Sequence, residues 1–541
     1  YKDIAYYFGA LSPYLNAFLF RAFGTHLMVI SVFNILLVIA LTFLIYRIFI
    51  KTTDKITATA VATTFLAIFA FSQYFKDVGN YNFVSPYTYG VTYGLFLAFL
   101  SISIFITYLE SRKNRFLFII GILTGLIFFT KPEVFFAISV ATALGIALVI
   151  FIDQPGNKKV LKIFSISALG FFVPVIAFLI YFSNHMPFSD ALRAITMPYA
   201  VVFSNSPISN IFYRKMIGLD DTIINLLKML FVSGWYLVVI LFLSLIDFKI
   251  GLRKTLFNLV LFFSLCLIVC NSWDQLFRGL PVVLLLFGGG ICFALFSFRN
   301  DPLKISRLLP LFVMTIFAFI LLFKIILNVC IFHYGFALTL PAVLLLVAIF
   351  TYHLPEFLKI KYKKASYARF LGLVLLGVVL FTYMNVSRCI YSAKTCRIGN
   401  GLDTILDLDK NLSTHGTYVN LALDKIEEIV KKDEKFLVFP EGIILNYLTR
   451  RDSPSKYVGF SFVELDVFGE NNILNSLIKN KPDYIIIVDR DVSEFGYVYS
   501  NKTYAPKITS WINKNYLPVY AVGSKPLTGK GFGIVIAKCA I

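Results

Sequence analysis

Apolar residues fill the first 386 positions in long blocks, each closed by a basic or polar break. The hydrocarbon layer of a bilayer takes about 20 residues of helix. Blocks of that length fall near 25–48, 56–75, 91–110, 116–131, 133–152, 163–183, 223–247, 255–271, 280–298, 308–328, 333–352 and 370–386. The stretch from 116 to 152 is broken only by Thr130-Lys131-Pro132-Glu133. A proline with two charges there predicts a tight helical hairpin rather than one long helix.

The pattern changes from about 387. Helical spacing with a charged opposite face marks 418–432, a second amphipathic helix falls at 471–479, 504–515 reads as helical, and 443–448 can start a further helix. Short apolar runs bounded by turn residues mark strands at 436–439, 484–488, 517–522 and 532–537. Strands alternating with helices predict a small α/β domain with a partly parallel sheet. The expected architecture is a polytopic α-helical membrane bundle of about 12 spans, covering 1–386, followed by an α/β domain over 387–541.

Basic residues set the orientation. Those at Arg47/Lys51/Lys55, Arg112/Lys113/Arg115, Lys158/Lys159/Lys162, Lys249/Arg253/Lys254, Arg299/Lys304/Arg307 and Lys359/Lys361/Lys363/Lys364 all fall on one side of the alternating spans. With that side cytoplasmic, the longer loops 1–24, 76–90 and 184–222 and the C-terminal domain lie outside. The protein is expected in the plasma (inner) membrane. The sequence opens at Tyr1, without methionine and in mid-motif, as a processed or truncated chain would.

Composition agrees. The chain is 58% hydrophobic with a mean hydropathy of +0.79, which excludes a soluble class. The net charge of +20 does not point to nucleic acid, because the basic residues punctuate apolar blocks instead of forming a stripe on a soluble face. No spacing of His, Cys or acids predicts a metal site, and no cofactor is expected. Of the seven cysteines, Cys389 and Cys396 follow the last block and can pair if that side is oxidising.

Several stretches together resemble one family. They are Asp3 to Gly24 with Leu11-Ser12-Pro13-Tyr14, then Tyr81-Asn82 with Ser85-Pro86-Tyr87 and Tyr93-Gly94, then Thr130-Lys131-Pro132-Glu133. His333-Tyr334-Gly335-Phe336, Phe439-Pro440-Glu441-Gly442 and Pro482-Asp483-Tyr484 extend the likeness into the later spans and the tail. The chain resembles polytopic glycosyltransferases of the GT-C type, in the dolichyl-phosphate-mannose protein mannosyltransferase-like family (glycosyltransferase family 39 and relatives). The resemblance implies inverting transfer of a sugar from a polyprenyl-phosphate donor to an extracytoplasmic glycan, lipid or protein acceptor. It also implies an acid in the first outer loop. The family's usual acid falls upstream of Tyr1, so Asp3 is either the base or a second acid of that loop.

Such transfer needs a carboxylate near the acceptor hydroxyl and cations for the leaving phosphate. Asp3 is the catalytic candidate. Lys131, Arg278, Lys324 and His333 are the donor-phosphate candidates, and Asp77, Tyr81, Tyr87, Glu133 and Glu441 are the substrate-binding ones. Each also has a purely structural reading. Asp3 can be a loop acid or helix cap, and Lys131 can snorkel. His333 can be a packing residue, the tyrosines can be interfacial belt residues, and Glu441 can answer a helix dipole. Asp220-Asp221 reads as a cap for the helix that follows. The alternative function is a transporter or flippase for a lipid-linked glycan, which predicts paired broken helices in an internal repeat.

Overall fold

The computed structural model describes residues 3–74, 81–203, 210–245, 273–330, 335–362, 366–497 and 504–540. The expected span at 255–271 and the candidates Asp77 and His333 lie outside them. Among the described residues, nine helices are long and apolar enough to cross a membrane, and two shorter apolar helices, Lys55–Ala70 and Asn114–Phe128, accompany them. The protein is an integral membrane protein: a helical bundle followed by a small α/β domain.

The bundle begins with α1 (Leu11–Phe23), α2 (Leu27–Thr52) and α3 (Lys55–Thr64), and α3 runs on as a π-turn through Ala70. Then come α4 (Tyr89–Ser111), α5 (Asn114–Phe128), α6 (Pro132–Asp153) and α7 (Asn157–Ser183). The predicted hairpin is the α5–α6 turn. Pro132 opens α6 at a position whose missing N–H costs the helix nothing. Helices α5 and α7 touch backbone to backbone through Gly121 and Gly170. A Cβ on Gly121 would stand 2.2 Å from the Ser167 carbonyl oxygen, and one on Gly170 would stand 2.2 Å from that of Phe118.

The expected loop 184–222 is largely helical, and the reading is corrected there. It contains α8 (Phe188–Phe203) and α9 (Ile211–Ile217). Pro198 does not break α8, because its missing donor removes one bond while Ala191, Ala194, Ile195 and Pro198 itself are buried on one face. The bundle continues with α10 (Thr222–Leu245), α11 (Leu280–Ser297), α12 (Pro302–Leu321), α13 (Gly335–Ala348), α14 (Leu354–Tyr362) and α15 (Ser366–Ser392). Helix α15 passes the expected boundary at 386 and ends at Ser392. The bundle core is apolar and aromatic, with Leu41, Phe65, Phe99, Phe317 and Phe336 fully buried.

In the tail, β1 (Cys396–Ile398) and β2 (Ile405–Asp407) form a small antiparallel pair. The main sheet comprises β3 (Phe436–Phe439), β4 (Tyr484–Val488), β5 (Tyr516–Gly523) and β6 (Gly533–Cys539), in the order β3-β4-β6-β5. Only β3 and β4 are parallel. Alternate residues of β3 feed two cores. Phe436 and Val438 pack with α16 (His415–Ile429). Leu437 and Phe439 face α18 (Phe462–Phe468), α19 (Glu470–Lys479) and α20 (Pro506–Asn515), while α17 (Ile444–Thr449) follows β3. Cys389 and Cys396 are free thiols.

The domain docks on the bundle end where α2, α4 and α6 begin. Asp403 accepts from the Leu27 backbone N–H at 2.7 Å, so it supplies a cap to α2 from across the interface. His26 (3.2 Å), Tyr447 (2.7 Å) and Arg450 (2.6 Å) close on the same carboxylate. Burial raises the Asp403 pKa, but these bonds outweigh it and leave the carboxyl below its usual range. The Ala5 N–H donates to the Lys456 carbonyl, and Phe212 of α9 meets Phe462 and Phe495 edge-on.

Candidate functional site

The first residues form a strap between the α5–α6 turn and the C-terminal domain. The Leu11 N–H donates to the Phe129 carbonyl at 2.9 Å. Gly9 lies so close to this turn that a Cβ would sit 2.3 Å from the Phe129 and Thr130 carbonyl oxygens. This places the Phe8 ring 3.6 Å from the Lys131 ammonium. Behind Lys131, Glu133 pairs with Lys324 at 2.9 Å. Three of the predicted residues, Lys131, Glu133 and Lys324, therefore meet in one group. Lys131 itself makes no hydrogen bond or ion pair among the described residues. Burial pushes its ammonium down to about 8, with Glu133 opposing the shift and Lys324 adding to it. The backbone of α4 is close as well, since a Cβ on Gly90 would lie 3.4 Å from Lys131 Cγ. At the start of α6 the Val134 and Phe135 N–H groups donate to the Lys131 carbonyl, and Glu133 is the acid of its first turn.

Arg278 belongs to a different group. Its Nε donates to Gln275 at 3.1 Å and its Nη1 to Asn225 at 3.2 Å. Asn225 is held in turn through the Gly218 carbonyl and Asp220. Asp221 caps α10 by accepting from the Ile224 N–H, as its sequence position predicts. Arg278, Gln275 and Lys228 border a cavity of about 430 Å³. Below them its walls are apolar: Phe231, Trp235 and Tyr236 from α10, Val343 and Val347 from α13, and Leu376 from α15. Val239 packs with Leu371 and Leu358 at the far end. Lys228 to Val239 is 11 residues of α10, a depth of about 16 Å. Lys228 was not among the predicted residues, although a lone lysine in an apolar block is a readable signal.

The other candidates scatter. Asp3 is exposed. Burial, then Tyr181 and, least, Asp3 push the Tyr14 hydroxyl up to about 12. Tyr81 cannot stack on a ligand, and that reading is corrected. Its side chain is fully buried and its hydroxyl is bonded to Thr92 at 2.5 Å. Tyr87 is 51% exposed and meets Tyr81 edge-on. Glu441 follows β3 and pairs at 3.3 Å with Arg490, which follows the parallel neighbour β4. Both side chains stay partly exposed where such sheets commonly bind ligands. Among the described residues, no three His, Cys, Asp or Glu side chains are grouped to hold a metal ion.

No family model matches the chain, and no curated protein matches it. Among solved structures, it is similar to the oligosaccharyltransferase of Archaeoglobus fulgidus crystallised with zinc and sulfate, at 14% identity and a TM-score of 0.43, covering 98% of this chain and 65% of that one. It is also similar to the archaeal oligosaccharyltransferase AglB of the same organism, in complex with an inhibitory peptide and a dolichol-phosphate, at 13% identity and a TM-score of 0.41, covering 97% of this chain and 66% of that one. The chain thus spans just under two thirds of the length of the solved chains it is similar to.

Proposed function

We propose that the protein is a membrane glycosyltransferase that moves a sugar from a polyprenyl phosphate to an acceptor outside the cytoplasm. The observation that carries this reading is the cavity: apolar along its depth, set among membrane helices, and bordered at one end by Arg278 and Lys228. A single prenyl chain suits the walls and a phosphate suits the cations. The sequence resemblance to polyprenyl-phosphate-dependent transferases points the same way.

In the reaction, the acceptor oxygen attacks the anomeric carbon and inverts it. The bond from that carbon to the phosphate oxygen breaks, and the polyprenyl phosphate leaves with the electron pair. Arg278 and Lys228 hold the charge that grows on the phosphate. A carboxylate takes the hydroxyl proton, and Asp3 is the exposed acid of the strap that can do so.

The test uses protein in lipid bilayers with radiolabelled polyprenyl-phosphate sugars and envelope acceptors. Acceptor-dependent release of label that fails in Arg278→Ala supports the transferase. Release that survives Asp3→Asn moves the base elsewhere. Transbilayer movement of the lipid without release supports the transporter instead.

A further inference from the structure

The two ends of the cavity are built from different parts of the chain, and one side chain joins them. Arg278 lies where the chain enters α11, in the 3₁₀ turn Phe277–Gly279 that follows a single helical turn, Trp273–Leu276. The apolar wall comes mainly from α10, α13 and α15. Hydrogen-bond geometry in a 3₁₀ turn is poorer than in an α-helix, so contacts from outside help to fix the side chains it carries.

Tyr236 of α10 supplies two such contacts. Its hydroxyl donates to the Leu276 carbonyl at 2.7 Å, two residues before Arg278. Its ring lies against the Gly279 backbone, one residue after Arg278, so closely that a Cβ there would stand 2.7 Å from the ring carbon Cε2. One side chain therefore brackets Arg278 from both directions along the chain. The same ring is part of the cavity wall, and it meets Phe350, another wall residue, at 6.3 Å between centroids. An apolar wall needs the ring and not the hydroxyl, since Phe231 and Phe350 line it without one. The hydroxyl of a buried tyrosine takes a partner, and this one takes the segment that carries the cation.

We propose that Tyr236 is a positioning residue for donor recognition. It ties the wall that faces the prenyl chain to the turn that carries Arg278, so the guanidinium at the mouth is held from inside the cavity. The proposal rests on the reading of the cavity as the donor site.

The test is titration of the full chain in bilayer discs, against empty discs, with farnesyl phosphate and separately with farnesol, which has the chain and no phosphate. Tyr236→Phe keeps the ring and removes the hydroxyl bond. It is expected to weaken farnesyl phosphate binding about fivefold and to leave farnesol binding unchanged. In an Arg278→Ala background the same substitution is expected to add nothing, because Tyr236 acts through Arg278. Gly279→Ala, which presses a methyl group onto the ring from the side of the turn, is expected to show the same selective loss. Equal losses for both ligands would make Tyr236 a wall residue only and overturn the proposal. A loss of the same size in the Arg278→Ala background also overturns it. If Arg278→Ala itself leaves farnesyl phosphate binding intact, the cavity reading fails and the positioning role falls with it. If Arg278→Ala weakens that binding and Tyr236→Phe does not, the cavity reading stands and the positioning role alone is lost.

Discussion

Arg278 meets the cavity mouth with its guanidinium already oriented by Gln275 and Asn225. A ligand phosphate therefore meets a fixed donor rather than a free side chain. A charge-assisted hydrogen bond is worth about 1.5–3 kcal/mol, so Arg278→Ala should weaken prenyl phosphate binding by roughly 10- to 150-fold. Arg278→Lys should recover part of it. Titration with farnesyl phosphate in bilayer discs measures both, and an unchanged affinity in Arg278→Ala would remove this residue from the site. Lys131 makes a pH-dependent prediction. Its ammonium loses its proton near pH 8, below the ordinary lysine range, with Glu133 and Lys324 as the charges facing it. Its positive charge should be complete below that value and be lost as pH rises through it, which the pH profile of turnover reads. Lys131→Arg should shift that loss to higher pH. At this scale the sequence shows which residues are charged inside apolar blocks, but not how they pair. Lys324 reads as a cation in search of an acid, and Glu133, 191 positions away, is found only once α6 and α12 lie side by side. Tyr81 and Tyr87 look alike in sequence, yet one is sealed beneath the other.

At the scale of elements, the strap and the cavity make separate predictions. Gly9 approaches the α5–α6 turn at a distance no side chain tolerates. Gly9→Val should lift Phe8 from Lys131 and lower turnover, while the main bundle core, which contains no strap residue, stays folded. Gly156, which has open space around it, serves as the control. The cavity can be filled from its wall by Leu376→Trp. In a close-packed core such a change costs about 1–3 kcal/mol, but here the added ring enters empty volume. The expected outcome is loss of farnesyl phosphate binding with folding unimpaired. The apolar blocks and the Lys131-Pro132 break made most of this architecture readable, because span length and proline geometry are local properties. Helix α8 was hidden by Pro198, whose cost is offset by burial that only tertiary packing provides. The β1–β2 pair was hidden because three-residue strands carry too short a pattern to read.

The whole molecule depends on how the C-terminal domain is held. Asp403 is 8% exposed and joins both halves: it caps α2 through the Leu27 N–H, meets His26, and binds Tyr447 and Arg450 of its own domain. Tyr447 and Arg450 also donate to the Thr25 carbonyl, so one carboxylate organises the interface. Its partners Arg450 and His26 stay nearly half exposed, so solvent screens these pairs and the loss falls well below that of a fully buried ion pair. Asp403→Ala should therefore loosen the domain without unfolding it, since the sheet and its two cores do not include this residue. The sign of the pH effect follows from the depressed Asp403 pKa. Its contribution is complete above the ordinary carboxylate value of about 3.9 and is lost as pH falls through the lower value of the docked state. Hydrogen exchange read on 396–540 should show faster opening of residues 401–405 and 444–451 in Asp403→Ala at neutral pH. The wild type should show the same only in strong acid. Equal exchange in both proteins at neutral pH would mean that the strap and α9 hold the domain without Asp403. In that case the substitution should leave turnover intact as well.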